Sequence, residues 1–289
     1  MELLQTAAAL QTKTEFWRQQ GLRIGLVPTM GALHEGHLQL VRAAAAENDV
    51  VVVSIFVNPT QFNNPDDFRL YPRLPEADTA LLEPAGCTAL FMPSVKEMYP
   101  APTVLRFDFG QLEHVMEGAH RPGHFNGVAT VVSKLFHLSR PHRAYFGQKD
   151  LQQVTIIQQL VADLSFDLEL VVFPTVREAD GLAMSSRNRR LSPEARAAAP
   201  VLYQALQLAA QQVQQRLPAA QIQQQAVEKL REVPALELEY FEVADGQTLQ
   251  PVQAEWPSTV ALCLAAYLGD VRLIDNVVVK VRSSEKVRQ

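Results

Sequence analysis

Apolar runs and helical spacing alternate along the first third of the chain. Leu22–Val27 is a short β-branched run, and Val50–Val57 is almost continuously apolar. A run of the second kind is typical of a parallel strand that is buried on both faces. Between the two runs, Leu38–Ala46 places its leucine, valine and alanine residues at helical intervals. The pattern predicts a strand–helix–strand unit in a parallel sheet.

The same spacing rules predict the remaining elements. Helices are expected over 1–21, Pro75–Glu83, Val128–Leu138 and Leu151–Leu160, and strands over Cys87–Met92, Thr103–Phe109, Ala144–Phe146 and Leu168–Val176. The pattern then changes: the Gln- and Ala-rich helices Pro200–Arg216 and Ala219–Arg231 precede strand-like runs at Glu237–Val243, Val260–Tyr267 and Val271–Lys280. We therefore predict an α/β fold with a doubly wound parallel sheet over 1–176 and a smaller α+β domain over 177–289.

The turn after the first predicted strand carries two histidines, His34 and His37, at the start of a helix. Free backbone N–H groups and the positive end of the helix dipole lie beside such positions. Gly31 and Gly36 let the backbone approach a bulky anion closely. The arrangement favours phosphate binding, although neither GxGxxG nor a Walker A loop is present. The alternative is a pair of solvated histidines at an ordinary turn.

Two further segments supply polar groups near the same sheet edge. Asn58 and Gln61 follow the second strand of the unit, where their amides are placed to read a carboxylate or hydroxyl group. Asn-Pro is also a common turn initiator, so simple turn chemistry is the alternative. Asp78, on the next predicted helix, is a candidate ligand for magnesium through one carboxylate, and an ordinary surface charge is the alternative.

A second strand–turn–helix follows at Gly147–Asp150. Lys149 is placed to reach a phosphate as a point charge, and Asp150 either bonds a ribose hydroxyl or caps the helix. Gln153 lies one turn into that helix and is placed to point back toward the turn. Farther along, Met184–Arg187 groups two hydroxyls and a guanidinium that suit the outer phosphates of a nucleotide. A basic linker between domains is the alternative for this segment.

Composition narrows the function classes. The 289 residues are 47% hydrophobic and 20% charged, with a net charge of −5. These values are typical of a globular protein and argue against nucleic acid as a main partner. The N-terminus lacks the basic and apolar regions of a signal peptide, and no apolar run is long enough to span a membrane. Two cysteines favour a reduced, cytoplasmic protein over a disulfide framework.

Motifs taken together are more specific than any one of them. The stretch from Thr29 to His37 resembles the (T/S)xxxHxGH signature of the nucleotidyltransferase superfamily. PTMGALHEGH, FVNPTQF, YPR, RPGHFNGV, YFGQKD and MSSRN occur in that order, and together they resemble the pantoate–β-alanine ligase family over nearly the whole chain. The resemblance implies a Rossmann-like N-terminal domain and a small C-terminal lid domain. It also implies ATP-dependent condensation of (R)-pantoate with β-alanine, with Mg²⁺, by a cytosolic homodimer.

The same resemblance assigns residues to roles. His37, His34, Lys149 and Arg187 would be catalytic, with His37 as the presumed proton donor. The ATP site would be formed by Met30, Gly31, Ala32, Leu33, His34, Glu35, Gly36, His37, Gly147, Gln148, Lys149, Asp150, Val176, Met184, Ser185, Ser186 and Arg187. The substrate site would be formed by Gln61, Gln153, Asn58, Tyr71 and Arg121. The metal ligand expected from the sequence is Asp78, from its position on the predicted helix. Pantothenate, AMP and pyrophosphate would be the products, by way of a pantoyl adenylate.

Two other functions share parts of this pattern. A plain nucleotidylyltransferase would use the same histidine turn but would not need the amide-rich pair Gln61 and Gln153. A nucleotide-sensing module without catalysis would not need to keep His34, His37, Lys149 and Arg187 together. Release of AMP as well as pyrophosphate distinguishes the ligase from the first, and ATP binding without turnover would support the second.

Overall fold

The computed structural model describes residues 1–63 and 65–281, and the last eight positions of the predicted C-terminal domain lie outside them. These residues divide into two compact units. The first comprises Met1–Glu113, Glu117–Gln148 and Gln153–Thr175. The second comprises His114–Met116, Lys149–Gln152 and the described chain from Val176 onward. Two short segments from the N-terminal part therefore belong to the second unit.

A six-stranded parallel sheet organises the first unit. Its strands are β1 (Glu2–Leu4), β2 (Ile24–Thr29), β3 (Val50–Ile55), β4 (Ala89–Phe91), β5 (Arg143–Gly147) and β6 (Glu169–Phe173). Their spatial order is β1-β4-β3-β2-β5-β6, and every neighbouring pair is parallel. The chain order reverses between β2 and β5, which is the point where doubly wound sheets bind ligands beyond the carboxyl ends of their strands.

Both faces of this sheet are buried, because helices cover each of them. Val50 and Val52 of β3 belong to one apolar core, whereas Val51 and Val53 belong to the other. The helices associated with this part of the chain are α1 (Ala7–Gln19), α2 (Glu35–Glu47), α3 (Pro65–Leu70), α4 (Pro75–Leu82), α5 (Val95–Met98), α6 (Met116–His120), α7 (His124–Ser139) and α8 (Leu151–Asp163). Short 3₁₀ helices occupy Pro59–Gln61, Gly110–Glu113 and Gln148–Asp150. The predicted α/β fold with a doubly wound, Rossmann-like sheet is confirmed.

Three local predictions were wrong. The N-terminal 21 residues are not one helix, because Glu2–Leu4 extends and pairs with β4 before α1 begins. Thr103–Phe109 forms no regular strand, and Val104 within it is 92% exposed. Its alternating pattern therefore has no sheet partner in the described chain. The polar composition of Asn63–Pro75 predicts an irregular segment, but that stretch contains α3.

The second unit has its own sheet and core. Helices α9 (Pro193–Ala198), α10 (Val201–Gln214) and α11 (Ala219–Arg231) precede strands β7 (Leu236–Asp245), β8 (Thr259–Leu268) and β9 (Val271–Lys280). The strands are antiparallel in the order β7-β8-β9. Leucines, valines and alanines of α10, α11 and the sheet form one buried cluster. The predicted small α+β arrangement is therefore confirmed.

The sequence predicts no membrane-spanning segment, and the lengths and hydropathy of the helices bear on this prediction. Among the described residues, no helix combines the length and the apolar character needed to cross a bilayer.

Candidate active site

The loop after β2 is held in an unusual backbone conformation by Asp78. The Oδ2 atom of Asp78 accepts from the Ala32 N–H at 2.9 Å, and Oδ1 accepts from the Leu33 N–H at 2.8 Å. Gly31 and Ala32 have φ angles of 83° and 52°, in the left-handed region that disfavours a side chain. Asp78 is only 2% exposed, so its two charge-assisted bonds are shielded from water. The carboxylate therefore fixes the loop that leads into the paired histidines.

His34 and His37 together cap the N-terminus of α2, and their rings contact each other. His34 is the N-cap: its Nδ1 accepts from the Gly36 N–H at 3.2 Å, and its own N–H lies 3.4 Å from Nδ1 of His37. The ring centroids are 4.1 Å apart. Because each Nδ1 is an acceptor, the proton of each neutral ring is on Nε2. Two imidazole Nε2–H groups therefore lie at a helix N-terminus, an arrangement suited to donating to an anion.

Glu35 lies between the two histidines in sequence, but its side chain is directed to the outside of α2. It is exposed and pairs with Arg42 at 2.5 Å. The hydrogen bond from Arg42 lowers the pKa of Glu35. The side chain therefore remains charged and held along the outside of α2.

A second polar turn lies after β3. Asn58 is 1% exposed and uses both ends of its amide within the protein. Its Nδ2 donates to Gln61 Oε1 and to the Gly127 carbonyl, both at 3.1 Å, while its Oδ1 accepts from the Thr60 hydroxyl at 2.9 Å. The Nε2 of Gln61 lies 3.3 Å from the sulfur of Met30. The structure thus brings Gln61 against the loop after β2, with Asn58 fixing the orientation of its amide.

The N-terminus of α7 supports the same turn from the other side. Arg121 Nη2 donates to the Gln61 carbonyl at 3.3 Å, and His124 Nδ1 lies 2.8 Å from that oxygen. Gly127 packs directly against the turn: a Cβ added there would lie 2.3 Å from the Thr60 carbonyl oxygen. His124 and Gly127 were not predicted as site residues. The only sequence signal was the dense RPGHFNGV motif that contains both.

Tyr99 is a further residue that the sequence did not reveal. Its hydroxyl donates to Oδ1 of Asn58 at 2.8 Å. Burial raises the pKa of Tyr99, so the phenol keeps the proton that it donates. No motif surrounds this tyrosine in the sequence. Its contact with Asn58 is visible only in the folded structure, where the end of α5 lies beside the turn after β3.

The other predicted site residues of the first unit lie at the end of β5, in α8 and beside Phe62. Gly147 ends β5 and is paired with Phe173, and Gln148 follows it half-buried. Gln153 is half-buried in the first turns of α8. Tyr71 is half-buried, and its ring packs edge-on against Phe62 at 5.8 Å.

The remaining predicted ATP residues belong to the second unit. Lys149 is half-buried and Asp150 is exposed. Val176 begins a tight hairpin, in which its carbonyl accepts from the Met184 N–H at 2.9 Å. Ser185 then caps a 3₁₀ helix over Ser186–Arg190 by accepting from the Arg187 N–H at 3.2 Å. The predicted loop over Met184–Arg187 is therefore an ordered turn.

The described residues do not form a protein-held metal centre. No group of three or more His, Cys, Asp or Glu side chains within them is arranged to hold an ion. Both oxygens of Asp78 already accept backbone hydrogen bonds. The magnesium role of Asp78 stays a prediction, and the donor set fits a loop anchor better than a metal ligand.

Comparison with known proteins places these features in context. The family model described as pantoate–β-alanine ligase matches residues 2–278. Curated relatives named pantothenate synthetase include that of Moorella thermoacetica, 51% identical over 97% of this chain and 99% of the relative, and that of Porphyromonas gingivalis, 49% identical over 96% and 99%.

Solved structures give the same result. The pantothenate synthetase of Thermus thermophilus superposes with a TM-score of 0.89 at 46% identity, covering 96% of this chain and 99% of that one. The pantoate–β-alanine ligase of Francisella tularensis, solved with β,γ-ATP and β-alanine, has a TM-score of 0.78 at 36% identity and covers 96% and 97%.

Proposed function

Since the chain belongs to the pantoate–β-alanine ligase family and is an ATP-dependent ligase that forms pantothenate, we propose that it works through a pantoyl-adenylate intermediate and releases AMP and pyrophosphate. The observation that carries this proposal is the capped pair His34 and His37 at the N-terminus of α2, which follows β2. It sits at the reversal point of the sheet in a chain that matches the family from residue 2 to residue 278.

The first step activates a carboxylate that would not react with an amine at neutral pH. A carboxylate oxygen of (R)-pantoate attacks the α-phosphorus of ATP in line, the bond to the bridging oxygen breaks, and pyrophosphate leaves. No protein nucleophile is needed, so positioning and charge stabilisation supply the catalysis. His34 and His37 donate from Nε2 to phosphate oxygens, and His37 is the proton donor. Met30–His37 line the ATP site.

The second step forms the amide. The amine of β-alanine attacks the acyl carbon of the bound adenylate, the C–O bond to AMP breaks, and the amine loses a proton. Gln61 holds pantoate and contacts β-alanine, and Gln153 also holds pantoate. The contacts of Asn58 support an indirect role for it, since its amide orients that of Gln61. Arg121 acts in the same way through the Gln61 carbonyl. Tyr71, whose ring packs on Phe62, is proposed as a further residue of the substrate site.

ATP also requires residues of the second unit in this proposal. Lys149 and Arg187 of that unit stabilise the phosphates. The remaining ATP contacts are Gly147 and Gln148 of the first unit and Asp150, Val176, Met184, Ser185 and Ser186 of the second. We propose that 1–176 form the ATP- and pantoate-binding domain and 177–289 a lid that excludes water from the adenylate. Support comes from the ordered turn at Met184–Arg187 and from the presence of two hydroxyls and a guanidinium within that segment.

Magnesium would enter with the nucleotide. Mg²⁺ is commonly bound by substrate phosphates with one or two carboxylates and water, so it needs no all-protein cage. Asp78 is the carboxylate that the sequence suggests, although both of its oxygens already accept from N–H groups. The ion would neutralise phosphate charge, and the chain's own contribution is the donors named above.

Assembly and compartment are also proposals. We propose a homodimer, as the family resemblance implies. The exposed apolar side chains of Val104 and Leu105 are 92% and 66% accessible and support a surface that is covered in solution. We propose a cytoplasmic location, which agrees with the free thiols of Cys87 and Cys263.

The decisive assay follows AMP, pyrophosphate and pantothenate with ATP, Mg²⁺ and pantoate, with and without β-alanine. The ligase requires AMP and pantothenate in equal amounts, and only when both substrates are present. Pantoate-dependent exchange of labelled pyrophosphate into ATP, without β-alanine, would establish the adenylate. Pyrophosphate release with no amide, whatever amine is offered, would instead identify a plain adenylyltransferase. ATP binding without turnover would identify a sensing module.

A further inference from the structure

Strand β9 carries two buried polar residues in the middle of an apolar run. Asp275 and Asn276 are each 3% exposed, whereas the strand around them is largely valine, leucine and isoleucine. Successive residues of a strand point to opposite faces, so both faces of β9 are covered at this position. A buried carboxylate is retained only when it is paired and hydrogen-bonded, which makes the partners of these two residues informative.

Asp275 pairs with Arg177 through two parallel hydrogen bonds. Nη1 lies 2.6 Å from Oδ2 and Nη2 lies 2.9 Å from Oδ1. The same guanidinium donates to the Gly181 carbonyl at 3.0 Å and stacks over the ring of Tyr203 at 3.7 Å. Burial raises the pKa of Asp275 and the Arg177 charge opposes that shift. The fork geometry locks Arg177 in one place, which a lysine or a single bond would not do.

Arg177 lies at the start of the hairpin that leads to Met184–Arg187, one of the two segments proposed to contact phosphate. It is bridged to Ala183, and the next pair joins the Val176 carbonyl to the Met184 N–H. Asn188 closes the far side by donating to the Ala183 carbonyl at 3.1 Å. The position of Met184–Arg187 is therefore set by where Asp275 holds Arg177.

Asn276 holds the other segment. Its Nδ2 donates to the carbonyl oxygen of Lys149 at 2.8 Å. Its own N–H donates to Asp275 Oδ1 at 2.7 Å, and its carbonyl accepts from Arg177 Nη2 at 3.2 Å. Two adjacent residues of one strand thus bind the backbone of Lys149 and the base of the hairpin that precedes Arg187.

We infer that Asp275 and Asn276 are positioning residues for the triphosphate of ATP: they keep Lys149 and Met184–Arg187 in fixed register with each other without touching the nucleotide. The inference rests on the proposed function, because it takes those two segments to be phosphate contacts. Its consequence is selective. Loss of either residue should weaken the handling of ATP and leave the handling of pantoate and β-alanine largely intact.

The test compares Asp275→Asn with a matched control, Glu239→Gln. Glu239 lies in strand β7 of the same small sheet and pairs with Arg272, and both side chains of that pair are only 16% exposed. Both variants remove one carboxylate charge from a partly buried ion pair, so both should lose stability. We expect the KM for ATP to rise about tenfold or more in Asp275→Asn and to change less than about twofold in Glu239→Gln.

A milder variant keeps the test usable if Asp275→Asn does not fold. Asn276→Ala removes the donor to Lys149 and leaves the Arg177 fork in place, and its KM for ATP should rise about threefold to tenfold with unchanged KM for pantoate. Calorimetric binding of a non-hydrolysable ATP analogue should weaken in the same variants. An unchanged KM for ATP in both folded variants, or an equal rise in Glu239→Gln, would overturn the inference.

Failure of the proposed function would look different. A wild-type protein that makes no pantothenate would refute the ligase assignment. Selective weakening of analogue binding in Asp275→Asn would then still support the positioning role, whereas equal binding in wild type and variant would refute it.

Discussion

Replacing Asp78 separates two roles for one carboxylate, loop anchor and metal ligand. Two charge-assisted hydrogen bonds join it to the N–H groups of Ala32 and Leu33, at 2.9 and 2.8 Å, and the group is 2% exposed. Bonds to a charged group contribute about 1.5–3 kcal/mol each. Asp78→Asn keeps one acceptor oxygen and turns an NH₂ group toward the other donor. We therefore expect a loss of about 2–4 kcal/mol in the free energy of unfolding.

The loss should also change catalysis, because the anchored residues lead into His34. Ala32 keeps a left-handed φ of 52° without the glycine that this region favours, and the Asp78 contact compensates for that strain. Without it, the loop relaxes and the histidines shift. A misplacement of about 1 Å can lower turnover about 100-fold, so we expect at least a roughly tenfold fall in kcat/KM for ATP.

Urea unfolding with EDTA and no nucleotide measures the first effect, and steady-state kinetics over a range of Mg²⁺ concentrations measures the second. Glu76→Gln is the control, since Glu76 is an exposed acidic residue on the same helix and should change stability by less than about 0.5 kcal/mol. A metal ligand would behave in the opposite way. If Asp78→Asn unfolds like the control and excess Mg²⁺ restores its activity, the anchoring argument is wrong.

Four further substitutions test the site and the fold. His37→Ala and Lys149→Ala should each lower the rate of pantoate-dependent pyrophosphate release by about 100- to 1,000-fold with little change in the circular dichroism spectrum, because each removes a donor from developing charge; near-normal turnover would exclude that role. Gly127→Ala should raise the KM for pantoate, since the added Cβ lies 2.3 Å from the Thr60 carbonyl oxygen and the turn bearing Gln61 would have to move by about 1 Å or more; an unchanged KM in a folded variant would contradict the placement. Burial raises the pKa of the Cys87 thiol to about 11, so native protein should resist alkylation at pH 8 until it is unfolded. As pH rises, the thiol of the unfolded chain loses its proton before the buried thiol of the native protein does. The contribution of Cys87 to the free energy of unfolding, about 2–3 kcal/mol, is therefore present below about pH 9 and lost by about pH 11. This pH dependence of stability should disappear in Cys87→Ala.

Local periodicity was sufficient for most of the elements. Ala219–Arg231 and Val271–Lys280 were predicted with the bounds that the structure has, because a strong helical face and a long β-branched run leave little choice. The strand Glu2–Leu4 was missed for the opposite reason. Three residues carry no periodic signal, and their extended conformation is stabilised by pairing with β4, which lies far away in the sequence.

The candidate site likewise has features that the local sequence predicts and features that depend on contacts between distant residues. His34, His37 and Gln61 were proposed from the sequence because the chemistry of a strand end followed by a helix start is local. Asp78 was proposed as a metal ligand, but its contacts with Ala32 and Leu33 were not predicted, since they join positions more than forty residues apart. A motif shows which side chains are near in sequence and cannot show which backbone donors a distant carboxylate will meet.

The sequence by itself determined the order of elements, the parallel sheet, the small second fold and the family, because apolar spacing and contiguous motifs are properties of neighbouring residues. Tertiary structure alone decided that Tyr99 and Gly127 support the Asn58–Gln61 turn and that Asp275 and Asn276 bind Arg177 and Lys149. These contacts join residues 41 to 127 positions apart. Their energy depends on burial and on donor–acceptor geometry, and both arise only when the strands and helices are packed together.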